Sequence, residues 1–418
     1  MKKATQQHTK RHNRDLVLNT VFGNPTVSRA EIARITGLTR TTVSQIVAGL
    51  MAEGLVQEVG VGSSRGGKSP ILLSLVADSR QVIGLDLAED RFCGALVNLR
   101  GEIRQRIDLP VPSSDGDKAL DKVYELVDGL VAAASRPLAG IGVGTPGLVD
   151  ARRGVVVNAV NLNWRNLPLG QLLSERYGLP ALVLNDSQAA ALGEHTFGNG
   201  YAADESLVVV NVGHGIGAGI ILNGQLYHGD GGGAGEIGHV AVASDDGLRC
   251  RCGNLGCLET LAGARAVVER ARTLAPQVRG GTLAADPDAI TFESLVQAFA
   301  AGDPLARQVV MDAGRFMGRA VSSLVGTLNV HRILIAGEMA RFGPPLLEAI
   351  RETMAQTTLT RLASDTRVDF EHLGHNEIIL GASALILRDY SLLFRRQRGG
   401  VEALVERGPP AGANSSRS

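Results

Sequence analysis

Three apolar stripes at helical spacing open the chain. Leu16, Val17, Leu18 and Val21 predict a helix over residues 14 to 22, which Gly23, Asn24 and Pro25 stop. A second helix begins at Ser28, because Ser28 followed by Glu31 is a capping box in which each side chain satisfies a free backbone N–H at the helix start. That helix is expected to turn Ile32 and Ile35 inward. After a short turn at Thr36, Gly37, Leu38 and Thr39, a third helix gathers Val43, Ile46, Val47, Leu50 and Met51 on one face. It leaves Arg40, Thr41, Thr42, Ser44 and Gln45 outward. Leu55 to Val61 and Ile71 to Val76 then read as strands around Ser63, Ser64, Arg65, Gly66, Gly67 and Lys68.

From Gln81 the pattern changes to strand, turn and helix units, the signature of an α/β lobe. Val82 to Leu87, Phe92 to Asn98, Ile141 to Val143, Ala181 to Leu184, Leu207 to Val212 and Ile333 to Ala336 read as strands, with a helix around Ala119 to Ala133. Cys93 is expected as a small buried apolar residue on the second of these strands. Residues 399 to 418 have too little apolar content after Leu404 to pack, which predicts a disordered tail.

Two short helices joined by a glycine turn are the helix-turn-helix pattern, whose second helix enters the DNA major groove by its N-terminal residues. Arg40, Thr41, Thr42, Ser44 and Gln45 are the candidates for that contact, and the following strand pair makes a wing in which Arg65 and Lys68 would grip phosphate. The plain alternative is a solvated helix face. Charge weighs against it: residues 1 to 80 carry eleven Lys or Arg against five Asp or Glu, while the whole chain has a formal net charge of zero. A basic front end on an acidic body suggests that the first segment alone meets nucleic acid.

A chain of 418 residues exceeds what one hydrophobic core organises, so two or three domains are expected. Its 4% aromatic content and 52 glycines suit tightly turned α/β lobes better than a β-sandwich. No apolar run approaches the roughly 20 residues of a membrane span, and the N-terminus lacks a secretory apolar stretch, so a cytoplasmic protein without membrane contact is expected.

Three of the chain's four cysteines, Cys250, Cys252 and Cys257, fall within eight residues, with His239 eleven residues upstream. This is the Cys₃His set that tetrahedral Zn²⁺ prefers in a closed structural site. A disulfide fits poorly, because C-x-C closes too small a loop for relaxed geometry and three thiols leave one over. Buried cysteines beside an unrelated surface one remain the bland alternative.

Gly232 to His239 and Cys250 to Glu259 resemble the signature of the ROK family, G-x-x-G-E-x-G-H followed by C-x-C-G-x-x-G-C-x-E. The family groups bacterial sugar-responsive repressors, among them the xylose- and N-acetylglucosamine-repressor types, with sugar kinases. The resemblance implies a winged helix-turn-helix over residues 1–78 and a two-lobed actin-like ATPase (sugar kinase-like) body over 79–398. Lobe one would cover about 79–195 plus a C-terminal helix, and lobe two about 196–375. It also implies sugar ligands at Asn185, Asp186, Glu236, His239 and Glu259, with Asp186 the catalytic base wherever kinase activity survives. His239 would bind zinc through one nitrogen and meet sugar with the other. Gly142, Gly144, Thr145, Pro146 and Gly147 look like the family's sugar-lobe loop, with Asn158, Asn161 and Trp164 as weaker candidates.

The nucleotide half departs from the kinase pattern. Where kinases carry D-x-G-x-T, this chain has Asp86, Ala88 and Asp90, so a Cβ and a carboxylate stand where phosphate must approach. Like charges at about 4 Å cost on the order of 4 kcal/mol near a protein surface. Gly213, Gly215, Gly217 and Gly219 preserve the second phosphate turn, but His214 replaces a hydroxyl residue, and the adenosine Gly-Gly pair appears as Ala336, Gly337 and Glu338. ATP is therefore not expected as a cofactor. The expectation is a repressor that binds operator DNA as a homodimer, or a dimer of dimers, and is released by a monosaccharide effector. The rivals are a sugar kinase retaining a DNA-binding arm and a sugar-independent regulator that docks a transporter component.

Overall fold

In the computed structural model the described residues are 6–63, 69–88, 91–111, 116–198, 200–243, 248–278 and 281–388. Arg65, Lys68, Asp90 and the expected tail at 399–418 lie outside them. The chain opens with α1 (Gln6–Phe22), β1 (Val27–Ser28), α2 (Arg29–Thr36), α3 (Arg40–Ala52), β2 (Val56–Val61) and β3 (Ile71–Leu75). The capping box sets where α2 starts: Ser28 Oγ accepts from Glu31 N at 3.2 Å, and the Glu31 carboxylate accepts from Ser28 N at 2.8 Å. Gly37 ends that helix with φ 70°, a left-handed conformation for which glycine has no steric cost. Ile35 departs from expectation, being 55% exposed. Only eight residues separate the cap from Gly37, so the helix has one inward turn; Ile32 fills it, and Ala33 and Leu38 pack beside it. β1, β3 and β2 form an antiparallel three-stranded sheet that completes the winged unit.

The body begins with β4 (Gln81–Leu87), β5 (Arg91–Asn98), β6 (Ile103–Pro110), α4 (Gly116–Ala133) and β7 (Leu138–Thr145). A small antiparallel sheet follows, made of β8 (Leu148–Asp150), β9 (Val155–Ala159) and β10 (Trp164–Leu167). Then come α5 (Leu169–Tyr177), β11 (Ala181–Asn185) and α6 (Asp186–Phe197). The second half runs through β12 (Leu207–Val212), β13 (Ile216–Leu222), β14 (Gln225–Leu226), α7 (Glu259–Ala262), α8 (Ala264–Leu274), α9 (Phe292–Ala300) and α10 (Pro304–Leu328). It ends with β15 (Arg332–Ala336), α11 (Pro344–Thr357), α12 (Thr360–Asp365), β16 (Arg367–Phe370) and α13 (Glu377–Leu387).

Two five-stranded sheets carry the lobes, ordered β11-β7-β4-β5-β6 and β14-β13-β12-β15-β16. Numbered within its own lobe, each sheet has the order third, second, first, fourth, fifth. In each, the first three strands are antiparallel and the first, fourth and fifth are parallel. The body is thus one topology used twice. In open α/β sheets, ligands bind beyond the carboxyl ends of the parallel strands, where the strand order reverses. Register brings those ends level in lobe one, Asp86 opposite Gly144 and Thr145 opposite Asn185.

α6 leads from lobe one toward lobe two and α13 returns, and the two helices pack on each other. Glycines permit the approach. A Cβ on Gly381 would lie 1.7 Å from the carbonyl oxygen of Ala189, and one on Gly142 of β7 would lie 1.8 Å from that of Ala382. Replacing Gly381 with Ala is expected to destabilise the protein by about 3 kcal/mol, since the obstruction is backbone. Gly326→Ala, in α10 with open space around it, serves as the control and is expected to be neutral or stabilising by under about 1 kcal/mol. Urea unfolding of the two variants measures both.

Candidate functional site

The cleft-facing ends of β4 and β11 bring Asp86 and Asp186 into electrostatic reach of each other. Burial raises Asp86 to about 7, with the Asp186 charge adding to it while Arg91 and Arg106 oppose. Asp186, the first residue of α6, is raised to about 6 by burial, against the N–H and hydroxyl of Ser187, which bond its Oδ1 at 2.6 and 3.2 Å. Glu236 is raised by desolvation, with His239 pulling it down and Glu259 pushing it up. Asp86, Asp186, Glu236 and Glu259 therefore form one chain of interacting carboxylates. With values raised to about 7 and about 6, Asp86 and Asp186 carry protons part of the time near neutral pH, so they can donate as well as accept hydrogen bonds.

Asn185 plays a different part. Its Oδ1 caps α6 by accepting from Ser187 N and Gln188 N, and its Nδ2 donates to the carbonyl of Gly147 at 3.0 Å. The amide thereby holds the 144–147 loop beside Asp186. Glu259 is tied across to the second glycine turn, where its carboxylate accepts from Ile216 N at 3.1 Å. Trp164 is not a surface ligand group: it is buried, and its Nε1 donates to the carbonyl of Gly116 at 2.8 Å. Asn158 is exposed, with its carbonyl against Gly147, and Asn161 is partly buried. Cys93 is buried as expected, and burial pushes its thiol up to about 12.

His239, Cys250, Cys252 and Cys257 converge so that their ligand atoms all lie within 4.8 Å of one another. His239 Nδ1 stands 3.5 Å from Cys250 Sγ, and Cys252 Sγ stands 3.6 Å from Cys257 Sγ. A tetrahedron built on metal–sulfur bonds of about 2.3 Å and metal–nitrogen bonds of about 2.0 Å has edges of about 3.8 Å between sulfurs and about 3.5 Å from sulfur to nitrogen. The donor set fits a metal ion. Gly253 and Gly256, with φ 97° and 68°, turn the backbone between the thiols. The ring of His239 offers Nδ1 to this cluster and turns Nε2 toward Glu236, 4.0 Å away, so one side chain joins the metal set to the cleft.

The glycine turn at 213–215 closes on itself, with Gly213 N donating to the carbonyl of Gly215, and His214 is exposed at its tip. Glu338 belongs to a surface network: it pairs with Arg341 at 3.3 Å, and Arg341 also holds Glu293 at 2.5 Å. In the winged unit Arg40, Thr41, Ser44 and Gln45 are exposed along the start of α3. Thr42 is partly buried, and its N–H donates to the Oγ1 of the capping residue Thr39 at 3.2 Å.

Several residues here escape sequence reasoning. Gln188, buried on α6, donates to the carbonyl of Gly232 at 3.1 Å and lies 3.2 Å from His228 Nδ1, bridging the lobes. Glu194, 0% exposed at the other end of α6, accepts from Tyr201 at 2.9 Å and from His372, whose ring Nδ1 is 2.5 Å away. Tyr201 and His372 sit on the two passages of the chain between the lobes, so Glu194 ties those passages together. Glu377 is 7% exposed, and its Oε2 has no partner. Spacing flags none of them: Gln188 and Glu194 reach partners on the other lobe or the return passage, and the burial of Glu377 is set by the tertiary packing of α13.

A family model described as ROK family matches residues 82–389, and one described as MarR family matches residues 16–65. A xylose repressor of Caldicellulosiruptor bescii is 33% identical over 387 residues, covering 91% of this chain and 96% of that one. The crystal structure of a ROK family transcriptional regulator, a homologue of the E. coli MLC protein, superposes with a TM-score of 0.81 at 28% identity over 92% of this chain and 98% of its own. A ROK family glucokinase from Streptomyces griseus, in complex with glucose and AMPPNP, gives 0.66 at 29% identity over 73% of this chain and 98% of its own.

Burial raises Glu377 to about 8, with Glu371, Asp86 and Glu194 adding to the shift. A raised acid favours the fold in its protonated form, so stability falls as pH rises from the unfolded value near 4.5 toward 8. Glu377→Gln is expected to stabilise the protein by about 2 kcal/mol at pH 8 and by little at pH 5. Urea titrations at the two values check the sign.

Proposed function

The chain belongs to the ROK family, and on that premise we propose that it is a DNA-binding transcriptional regulator, a repressor released by a monosaccharide. The observation that carries this reading is the joining of a winged helix-turn-helix to a carboxylate-lined interlobe cleft in one chain. The MLC homologue matches over both parts, whereas the glucokinase matches 73% of the chain. We take residues 1–78 as the DNA-binding domain and 79–398 as the effector body.

Arg40, Thr41, Ser44 and Gln45 would read base edges in the major groove, Thr42 would hold the helix start, and Arg65 and Lys68 would grip phosphate on the wing. In the cleft Asp186, Glu236 and His239 Nε2 are the hydroxyl-binding groups, Glu259 orients the glycine turn, and Asn185 fixes the loop behind Asp186. His239, Cys250, Cys252 and Cys257 would hold Zn²⁺ in a structural role, fixing the His239 ring so that Nε2 faces the effector. A homodimer presenting two winged units would read a palindromic operator in the cytoplasm. Among the described residues no helix is long and apolar enough to cross a membrane.

Anisotropy titrations with a duplex from the DNA upstream of the chain's own gene test the reading. D-xylose, D-glucose and N-acetyl-D-glucosamine would be added singly, with and without Mg-ATP. One sugar is expected to weaken DNA binding at least about 5-fold, and Asp186→Asn to abolish that response while leaving DNA affinity within about 2-fold. A response to none of them, or sustained ATP consumption, would sink the proposal. Metal analysis is expected to return one Zn²⁺ per chain, and Cys252→Ser to lose both the metal and sugar binding.

A further inference from the structure

The apolar core of the winged unit does not end at its border. Val17, Leu18 and Val21 of α1 share one cluster with Val82, Leu99 and Ala139 of lobe one and with Ile386 and Leu387 at the end of α13. Apolar contact is non-directional and fixes no rotation between the two parts. Besides the longer bond from Arg80 Nη2 to the carbonyl of Glu53 at 3.4 Å, one side chain supplies direction. Arg100, in the β5–β6 turn, donates from Nη1 to the carbonyl of Phe22 at 2.5 Å and from Nη2 to that of Asn24 at 3.0 Å. The Phe22 carbonyl is among those a helix end leaves without an intrahelical partner, and a cation there also suits the helix dipole.

The turn that carries Arg100 is itself immobilised. Asn98 is buried; its Oδ1 accepts from the N–H groups of Arg100 and Glu102, and its Nδ2 donates to Asp78 and Glu102. Asp78 lies in the segment joining the winged unit to the body, and Arg104 grips it with two bonds of 2.7 Å. β5 then runs from Arg91, one of the charges acting on Asp86, to Asn98, about 23 Å at the rise of a strand. The fork of Arg100 therefore stands at the far end of a strand that starts beside the cleft.

We propose that Arg100 is a positioning residue that locks α1 to lobe one, so that a change at the cleft turns the winged unit and lobe one as a single body. The coupling to effector rests on the proposed function; the lock does not. The full chain and its Arg100→Met variant, which keeps the aliphatic stem and loses both donors, are compared by scanning calorimetry, by hydrogen exchange and by DNA anisotropy with and without D-xylose. The wild type is expected to melt in one transition. Arg100→Met is expected to melt the winged unit separately, on the order of 5 °C earlier, and to lose at least about 10-fold of amide protection at the end of α1. DNA affinity without sugar should stay within about 3-fold, while its sugar dependence falls toward none, a change that a merely stabilising contact would not produce.

Should Arg100→Met fail to fold, Arg100→Lys keeps the charge with one donor group in place of the fork, and is expected to show the same changes at smaller size. Melting and exchange identical to wild type in the variant that folds would overturn the proposal. If the wild type shows no sugar dependence, the function proposed above fails, and melting and exchange still decide the role of Arg100.

Discussion

The structure turns on the contact between the backbones of α6 and α13. Gly193 and Gly381 bring the helices together, and Gly84 and Gly142 let α13 lie on the sheet, where a Cβ on any of the four would meet a backbone oxygen within 2.4 Å. α6 starts at Asp186 and closes with Glu194, while α13 starts at Glu377 under the cleft and ends with Ile386 and Leu387 in the core shared with the winged unit. Close-packed interiors switch between discrete arrangements rather than deform smoothly.

A metal ion held by His239, Cys250, Cys252 and Cys257 would solve a local problem that packing does not. The strand of chain from 248 to 255 is mostly exposed, with Cys252 among its exposed residues, so it has little apolar surface to bury. Backbone bonds shape it, Cys250 N to the carbonyl of Asn254 and Gly253 N to that of Cys250, and the bridge between Ala241 and Cys257 attaches it to the segment bearing His239. Four ligands gathered on one ion would supply the cohesion the core lacks. That cohesion would reach Glu236 through the single imidazole of His239.

What could be read from the sequence was what local chemistry decides. The Ser28 and Glu31 capping box, the α3 stripe, the cysteine spacing and the Asn185–Asp186 pair at a strand end all depend on neighbours within a few residues, and all reappear in place. The duplicated strand order, the bridging by Gln188, the tie from Glu194 to His372 and the fork of Arg100 depend on partners far along the chain, the last three 40 to 178 residues away. Ile35 misled for a related reason. Helical spacing placed it inward, but spacing does not say that Gly37 ends the helix before a second inward turn is complete. Trp164 misled in the opposite sense: a polar aromatic beside a ligand loop looked like a binding group, yet its N–H serves the carbonyl of Gly116.

The remaining feature is an energetic cost carried at one place. Asp86, Asp186 and Glu377 are all raised by burial, and one carboxylate oxygen of Glu377 has no partner. Elsewhere buried acids are matched: Glu194 by Tyr201 and His372, and Asp303 by four backbone N–H groups at the start of α10 and the turn at Thr282. The same fold therefore pairs Glu194 and Asp303 fully, while where the lobes meet Asp186 keeps the N–H and hydroxyl of Ser187 and one oxygen of Glu377 is left without a partner. Perturbed groups concentrated in a cleft mark a functional site more often than a structural one. A neutral polyol adds no charge beside Asp86 and Asp186, whereas a phosphate would bring negative charge to a place where burial already disfavours it. The burial-raised acids thus suit an uncharged ligand better than an anion, and they do so independently of the helix-turn-helix and of the cluster of His239, Cys250, Cys252 and Cys257.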